Sequence, residues 1–238
     1  MNTNERDSNK KIAVITGALF IVATVSGFLA NSLIGSIIGA SDYLVQIVAN
    51  KNMIVLGAIF SFMAAVGSAG IAMSLYPVLR KYNEGLALGS VGFRLVEGVF
   101  YLVSALGLLS LLSLSQEYIS AGSQAAPAFQ VLGHLILEVR VWAGFVFGVI
   151  AFCIGGSLYY YIMYRARLIP RWLSAWGLVG LALLFLMSLL LAFGERISEP
   201  SGNLLLLAAP IAIQEMVFAV WLIVKGFNPS AIASESNN

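Results

Sequence analysis

The sequence predicts an all-α membrane protein, a polytopic bundle of six transmembrane helices with both termini in the cytoplasm, and three observations predict it. Of the 238 residues, 60% are hydrophobic and 10% charged, with a mean hydropathy of +0.92. Soluble domains average about 45–50% apolar and about 25% charged residues, so a soluble domain could not hide this much apolar surface. Six stretches reach the roughly 20 apolar residues that a helix needs to cross the hydrocarbon core. Basic residues fall in alternate connections, as the orientation of helical membrane proteins requires.

The spans are predicted at residues 12–38, 53–76, 86–113, 129–164, 172–193 and 203–224. Helix is the default because lipid offers no partner to an unpaired backbone group, and none of the runs alternates as barrel strands do. The first apolar run is longer than the 7–15 residues of a signal-peptide core, so it reads as a span and not as a cleaved leader. The fourth exceeds what a bilayer requires, so its first turns are expected to stand in the outer headgroup region. Between the first two spans, Tyr43, Leu44, Ile47 and Val48 share one helical face, which predicts a short helix lying on the outer surface. Residues 116–127 form the longest expected external loop. The polar, Ser- and Asn-rich ends, 1–11 and 228–238, are expected to be disordered cytoplasmic tails.

Orientation follows from charge. Arg6, Lys10, Lys11, Arg80, Lys81, Arg165, Arg167, Arg171 and Lys225 would lie on one side, and Lys51 and Arg196 on the other. Nine against two puts the first set in the cytoplasm. A belt of Tyr76, Tyr82, Tyr159 to Tyr161, Tyr164, Trp172 and Trp176 marks the same interface.

The residues that could carry function are the ionisable ones inside the spans, since each costs several kcal/mol unless paired or hydrated. Ser90, Arg94, Glu97, Tyr101 and Ser104 recur at spacings of 4, 3, 4 and 3, a polar stripe that should face the bundle interior. In the fourth span Arg140 stands above Gly144, Gly148, Ala151 and Gly155, a small-residue seam where another helix can approach. Glu138 lies about 200° around the helix from Arg140 and joins His134 and Trp142 near the outer interface. The sixth span carries Gln214 and Glu215 near its midpoint, with Pro210 four residues earlier as an expected break that frees a backbone carbonyl. Arg94, Glu97, Arg140 and Glu215 sum to zero charge. They read either as a buried network that fixes assembly or as a binding site.

Other constellations are weak. Net charge of +2 does not argue for a nucleic-acid partner. His134 and Glu138 have metal-ligand spacing but lie at a different depth from the central glutamates, so no metal site is expected. Cys153 is the only cysteine, has no cation or base within a turn, and reads as core. No catalytic set and no cofactor are predicted.

Three ordered blocks carry a family resemblance: LYPVLRKYNEGLALGSVGFRLVEG (Leu75–Gly98), IPRWLSAWGLVG (Ile169–Gly180) and PIAIQEMVFAVWLIVKGF (Pro210–Phe227). The chain resembles an uncharacterised bacterial membrane family, domain-of-unknown-function family 4386, over nearly its whole length. The resemblance implies a multi-pass protein of the bacterial inner membrane and implies no reaction. It places Arg94, Glu97, Arg140 and Glu215 on family motif positions. Where relatives tend to read R-D-W, this chain has Arg140–Val141–Trp142.

Function is therefore expected to centre on Arg94, Glu97, Tyr101, Arg140, Gln214 and Glu215, binding or moving a small solute or ion. The alternatives are an intramembrane enzyme on a lipid or quinone-like substrate, with Tyr101 as proton donor, and an accessory subunit whose ion network only sets packing. The bilayer is the one certain partner; the sequence does not set an oligomeric state.

Overall fold

A computed structural model describes residues 3–121, 126–194, 199–200 and 202–231, with side chains from Asp7 onward. Helix accounts for nearly all of them, and no strand occurs among the described residues. The elements are α1 (Thr3–Ile38), α2 (Tyr43–Ala49), α3 (Lys51–Leu79), α4 (Glu84–Ala121), α5 (Ala126–Val141), a π-helical segment (Trp142–Gly148), α6 (Val149–Ala166), α7 (Arg171–Ala192), a 3-10 segment (Gly202–Leu207) and α8 (Ala209–Val224). Six units are long and apolar enough to cross a membrane: Asp7–Ile38, Lys51–Leu79, Glu84–Ala121, Ala126–Ala166, Arg171–Ala192 and Gly202–Val224. Large apolar side chains such as Phe28, Phe62, Leu106 and Phe193 stand exposed on the outside. Only lipid is a suitable solvent for so many of them. The protein is a multi-pass membrane protein.

The spans close into a ring in chain order. α1 packs on α3, α3 on α4, α4 on α6, α6 on α7, α7 on α8, and α8 returns to α1. Small residues set the antiparallel registers. A Cβ on Gly144 would lie 2.8 Å from Ser104 Oγ, one on Gly148 2.9 Å from the Tyr101 ring, and one on Gly155 3.1 Å from Arg94 Cγ. The glycine seam of the fourth span therefore receives the polar stripe of α4, tooth by tooth. The π-helical segment lies in this seam and widens the helix where Gly144 and Gly148 meet α4. Ser104 Oγ donates to the Arg140 carbonyl (3.1 Å) and Ser188 Oγ to the Val146 carbonyl (3.2 Å), so side chains of α4 and α7 answer backbone acceptors in and beside it.

Two apolar clusters form. The larger joins Phe20, Leu75, Tyr159, Tyr160, Phe218 and Leu222 near the end carrying the basic loops and continues along α7 through Leu184, Met187 and Leu191. The smaller joins Ile34, Leu44, Ile47, Ile54, Leu108 and Leu111 at the opposite end. Between them lies a polar layer.

Several boundaries differ from the sequence expectation. α1 begins at Thr3, nine residues before the expected span and inside the expected disordered tail. No Gly or Pro interrupts 3–11, and extending an existing helix needs no new nucleus. α4 runs to Ala121 through the first half of the expected 116–127 loop, with Tyr118 packed on Phe129 of α5 at 6.0 Å. α2 forms as predicted, but its apolar face does not lie on lipid. Tyr43, Leu44 and Ile47 are buried against the bundle, and the Tyr43 hydroxyl donates to the Gln130 carbonyl of α5 at 3.4 Å. At the other end, Asn228 is not free either. Its backbone amide donates to the Leu168 carbonyl at 2.8 Å. Residues 229–231 of that expected tail are helical with Ala231 buried, and 232–238 lie outside the described residues.

The seam gives the first prediction. Gly155→Leu has no room against Arg94 and Phe93 and is expected to destabilise the fold by at least the about 1–3 kcal/mol typical of overpacking. Gly92→Ala meets no atom within 4 Å and should leave the melting temperature in detergent unchanged or slightly raised. Equal effects of the two would refute this register.

Candidate functional site

The polar layer encloses a cavity of about 220 Å³, room for several waters or one small solute. Its floor is built by α1, α3, α4 and α8, which present Thr24, Ser68, Arg94, Glu97 and Glu215. Its upper wall includes Tyr101, Ser104, Arg140 and Gly144. The exposed Asn31 also lines it, which marks where the cavity reaches the molecular surface. Below the floor, Phe20, Tyr159, Tyr160 and Phe218 are fully buried and packed edge to face or tilted, with Phe20 and Phe218 rings 5.1 Å apart. This aromatic plug closes the cavity toward the basic end.

The stripe of α4 faces inward as its spacing predicts. Ser90, Arg94, Glu97 and Ser104 are buried, and Tyr101 is half-buried against the cavity. Arg94 Nη1 donates to Glu97 Oε2 at 2.9 Å, an i,i+3 pair in which both side chains are only 1% exposed. Ser68 Oγ of α3 donates to the other carboxylate oxygen at 2.8 Å. The guanidinium lies over the Phe152 ring at 4.4 Å and near the Tyr159 ring at 5.7 Å, so its faces meet aromatic quadrupoles in place of water. Its Nε has no hydrogen-bond partner among the described residues. Glu97 is thereby neutralised and held from two helices.

Glu215 is treated differently. Thr24 Oγ1 of α1 donates to its Oε2 at 2.9 Å, and no basic side chain among the described residues lies within ion-pair distance. It lines the same cavity as Glu97. The floor therefore carries one carboxylate more than its cations answer.

The four-group network read from the sequence does not form as one unit. Arg140 is buried and lines the cavity, but it pairs with Glu199, a half-buried residue between α7 and α8. The reason is register. Arg140 sits at the level of Ser104 and Gly107 on α4, and Glu97 lies seven residues below Ser104, about 10 Å along the helix. Gln214 is also displaced from the expected site. Its Oε1 accepts from Tyr160 Oη at 2.7 Å and its Nε2 donates to the Leu173 carbonyl at 3.1 Å, so it ties α6, α7 and α8 together beside the cavity without lining it. Pro210 does not break a helix near Gln214. It falls in the first turn of α8, where a missing N–H costs nothing, and the irregular backbone is the 3-10 segment before it.

His134 and Glu138 are exposed, and the His134 ring lies 5.6 Å from that of Tyr43. Cys153 is buried. Among the described residues no group of three His, Cys, Asp or Glu side chains is gathered for a metal. Sequence reasoning missed Thr24, Ser68 and Glu199. The first left a signal: Thr16, Thr24 and Asn31 recur every two turns on α1, and Thr16 is buried with a 2.7 Å hydrogen bond to Ser74 Oγ of α3.

Residues 15–226 match the family model for a domain of unknown function, DUF4386. The chain belongs to that family. The match bears out the resemblance carried by the three sequence blocks and takes in every residue of the cavity. DUF4386 membership assigns no reaction to them. No curated protein matches the chain, and no solved structure does.

The unequal pairing of the two glutamates predicts unequal mutants. Glu97→Gln strands a buried guanidinium and is expected to cost about 3–5 kcal/mol. Combining it with Arg94→Met should recover part of that loss. Glu215→Gln strands no cation and leaves an acceptor for Thr24, so its melting temperature should match or exceed wild type. Thermal unfolding of the purified variants in detergent reads both, and comparable losses would contradict the assignment.

Proposed function

We propose that the protein binds a small cationic solute or cation in the central cavity, with Glu215 as its counter-charge, and carries it across the membrane. The observation behind this reading is the lone carboxylate. Glu215 faces a mostly apolar cavity with only a hydroxyl donor, while the neighbouring Glu97 is fully paired. A carboxylate inside a bilayer without a cation is expensive, and positions of that kind mark ion and substrate pathways. Tyr101, Ser104 and Asn31 supply acceptors along the way from the surface to the floor. Arg94, by contrast, serves to hold Glu97 and α4 in place. Arg140 with Glu199 stands at the upper wall, where it limits access from that end.

The same reading places both termini in the cytoplasm and the protein in a bacterial inner membrane. The basic loops and the belt around Trp172 and Trp176 support that orientation. The plugged end of the cavity would then face the cytoplasm, and the Asn31 side would lie in the outer half.

The test is thermal unfolding of the detergent-solubilised protein against sodium, potassium, guanidinium and methylammonium, followed by uptake of the stabilising ion into proteoliposomes. A bound cation at a hundredfold excess over its Kd stabilises by about 2.7 kcal/mol. Saturable stabilisation by one of these ions is expected in wild type and should vanish in Glu215→Gln. The proposal fails if the variant responds as wild type does, or if none of the four ions shifts the transition.

A further inference from the structure

A second hollow, of about 670 Å³, lies at the basic end of the bundle, away from the central cavity. Its walls are the turn from α6 into α7, the last turn of α8 and the segment that follows α8. Arg167, Arg171 and Lys225 line it, all three exposed, and no carboxylate among the described residues does. None of the three makes an ion pair with a described residue; Arg171 rests on the Tyr164 ring at 5.3 Å. The hollow thus concentrates positive charge that no described residue pairs.

The walls are built, not incidental. Asn228 donates from its backbone amide to the Leu168 carbonyl at 2.8 Å and from its side chain to the Arg167 carbonyl at 3.3 Å, while Phe227 is buried beside them. Arg167 ends α6 in the left-handed conformation, φ 54°. Glycine is the residue that takes this position without strain, so an arginine here is kept against the backbone's own preference. α7 begins at Arg171, and its first amides have no partner within the helix, which adds a partial positive charge at the same place. Trp221 forms an amphipathic wall, and the Trp172 and Trp176 rings stand 6.3 Å apart next to the turn. Tryptophans at a span's end mark headgroup depth.

We infer that this hollow binds the phosphodiester headgroup of an anionic glycerophospholipid. Arg167 and Arg171 offer planar forks that match phosphate oxygens, Lys225 a third point charge, and Trp221 a surface for the glycerol unit. A soluble anion would use the same cations, but it would gain nothing from Trp221 or from the position at headgroup depth.

The experiment uses the full chain in detergent, with lipid binding read by native mass spectrometry and by thermal shift. The probes are phosphatidylglycerol, phosphatidylcholine and inorganic phosphate at equal phosphate concentration. Phosphatidylglycerol should bind saturably at one site, and the other two should bind at least tenfold more weakly. Arg167→Gly suits the backbone and removes one charge, so it should unfold at or above the wild-type temperature yet bind phosphatidylglycerol about fivefold more weakly. Arg171→Gln with Lys225→Gln should weaken it about thirtyfold. Equal binding of phosphatidylcholine would show an uncharged lipid surface, and equal binding of inorganic phosphate a soluble-anion site; either overturns the inference. Wild-type lipid affinity in a folded Arg167→Gly also overturns it.

Discussion

An ion pair held within a bilayer must be closed on all sides by protein, and the architecture around Arg94 and Glu97 follows from that requirement. The pair itself is local, three residues apart on one helix, but its surroundings come from two other elements. α3 supplies Ser68 to the carboxylate, α6 supplies Phe152 and Tyr159 to the guanidinium, and Gly155 leaves room for the arginine stem. A bulkier residue at Gly155 would push α4 out of reach of Ser68. The glycine seam and the polar stripe are therefore two halves of one device. Deleting one member of such a pair leaves a buried charge, which is far costlier than never having placed the pair there.

Setting that device between two apolar clusters has a consequence for the rest of the interior. The clusters can be packed tightly with Phe, Leu, Ile and Tyr, but the layer of charges and small residues beside them cannot close without leaving space. The cavity is that space. Its lower boundary is aromatic and shut, whereas its upper wall is made of glycines, hydroxyls and the widened π-helical segment. Such segments often accompany functional sites because they shift one face of a helix without ending it. Glu215 and Thr24 complete the floor from α8 and α1, the two helices that close the ring. The site exists only when first and last spans meet.

How much of this was legible in the sequence depends on the range of each interaction. Spans, the inward-facing stripe from Ser90 to Ser104, the seam from Gly144 to Gly155 and the helix around Tyr43 all follow from periodicity within one segment. Periodicity survives into the structure because each helix keeps its own register. The misplaced features all required knowledge of a second segment. Arg140 stands apart from the central glutamates because of its depth, which is hard to judge along a helix to within two turns, and its partner Glu199 lies in a connection that carries no periodicity. Gln214 is adjacent to Glu215 in the sequence, yet neighbours on a helix point about 100° apart. One faces the cavity, and the other bridges α6 and α7. Pro210 starts a helix and does not kink one, and only the structure tells which side of a proline is helical.

By itself, then, the amino-acid sequence determined the solvent, the number of crossings and which face of each helix is polar, because these depend on composition and on a period of 3.6 residues. It also marked the four buried charges as the residues to watch, since lipid makes every ionisable group costly. Only the tertiary structure decided which charges answer each other. Pairing depends on the relative height of packed helices, and that height is set by the fit of side chains such as Tyr101 over Gly148. One turn of slip would move every partner by about 5.4 Å, beyond the reach of any hydrogen bond.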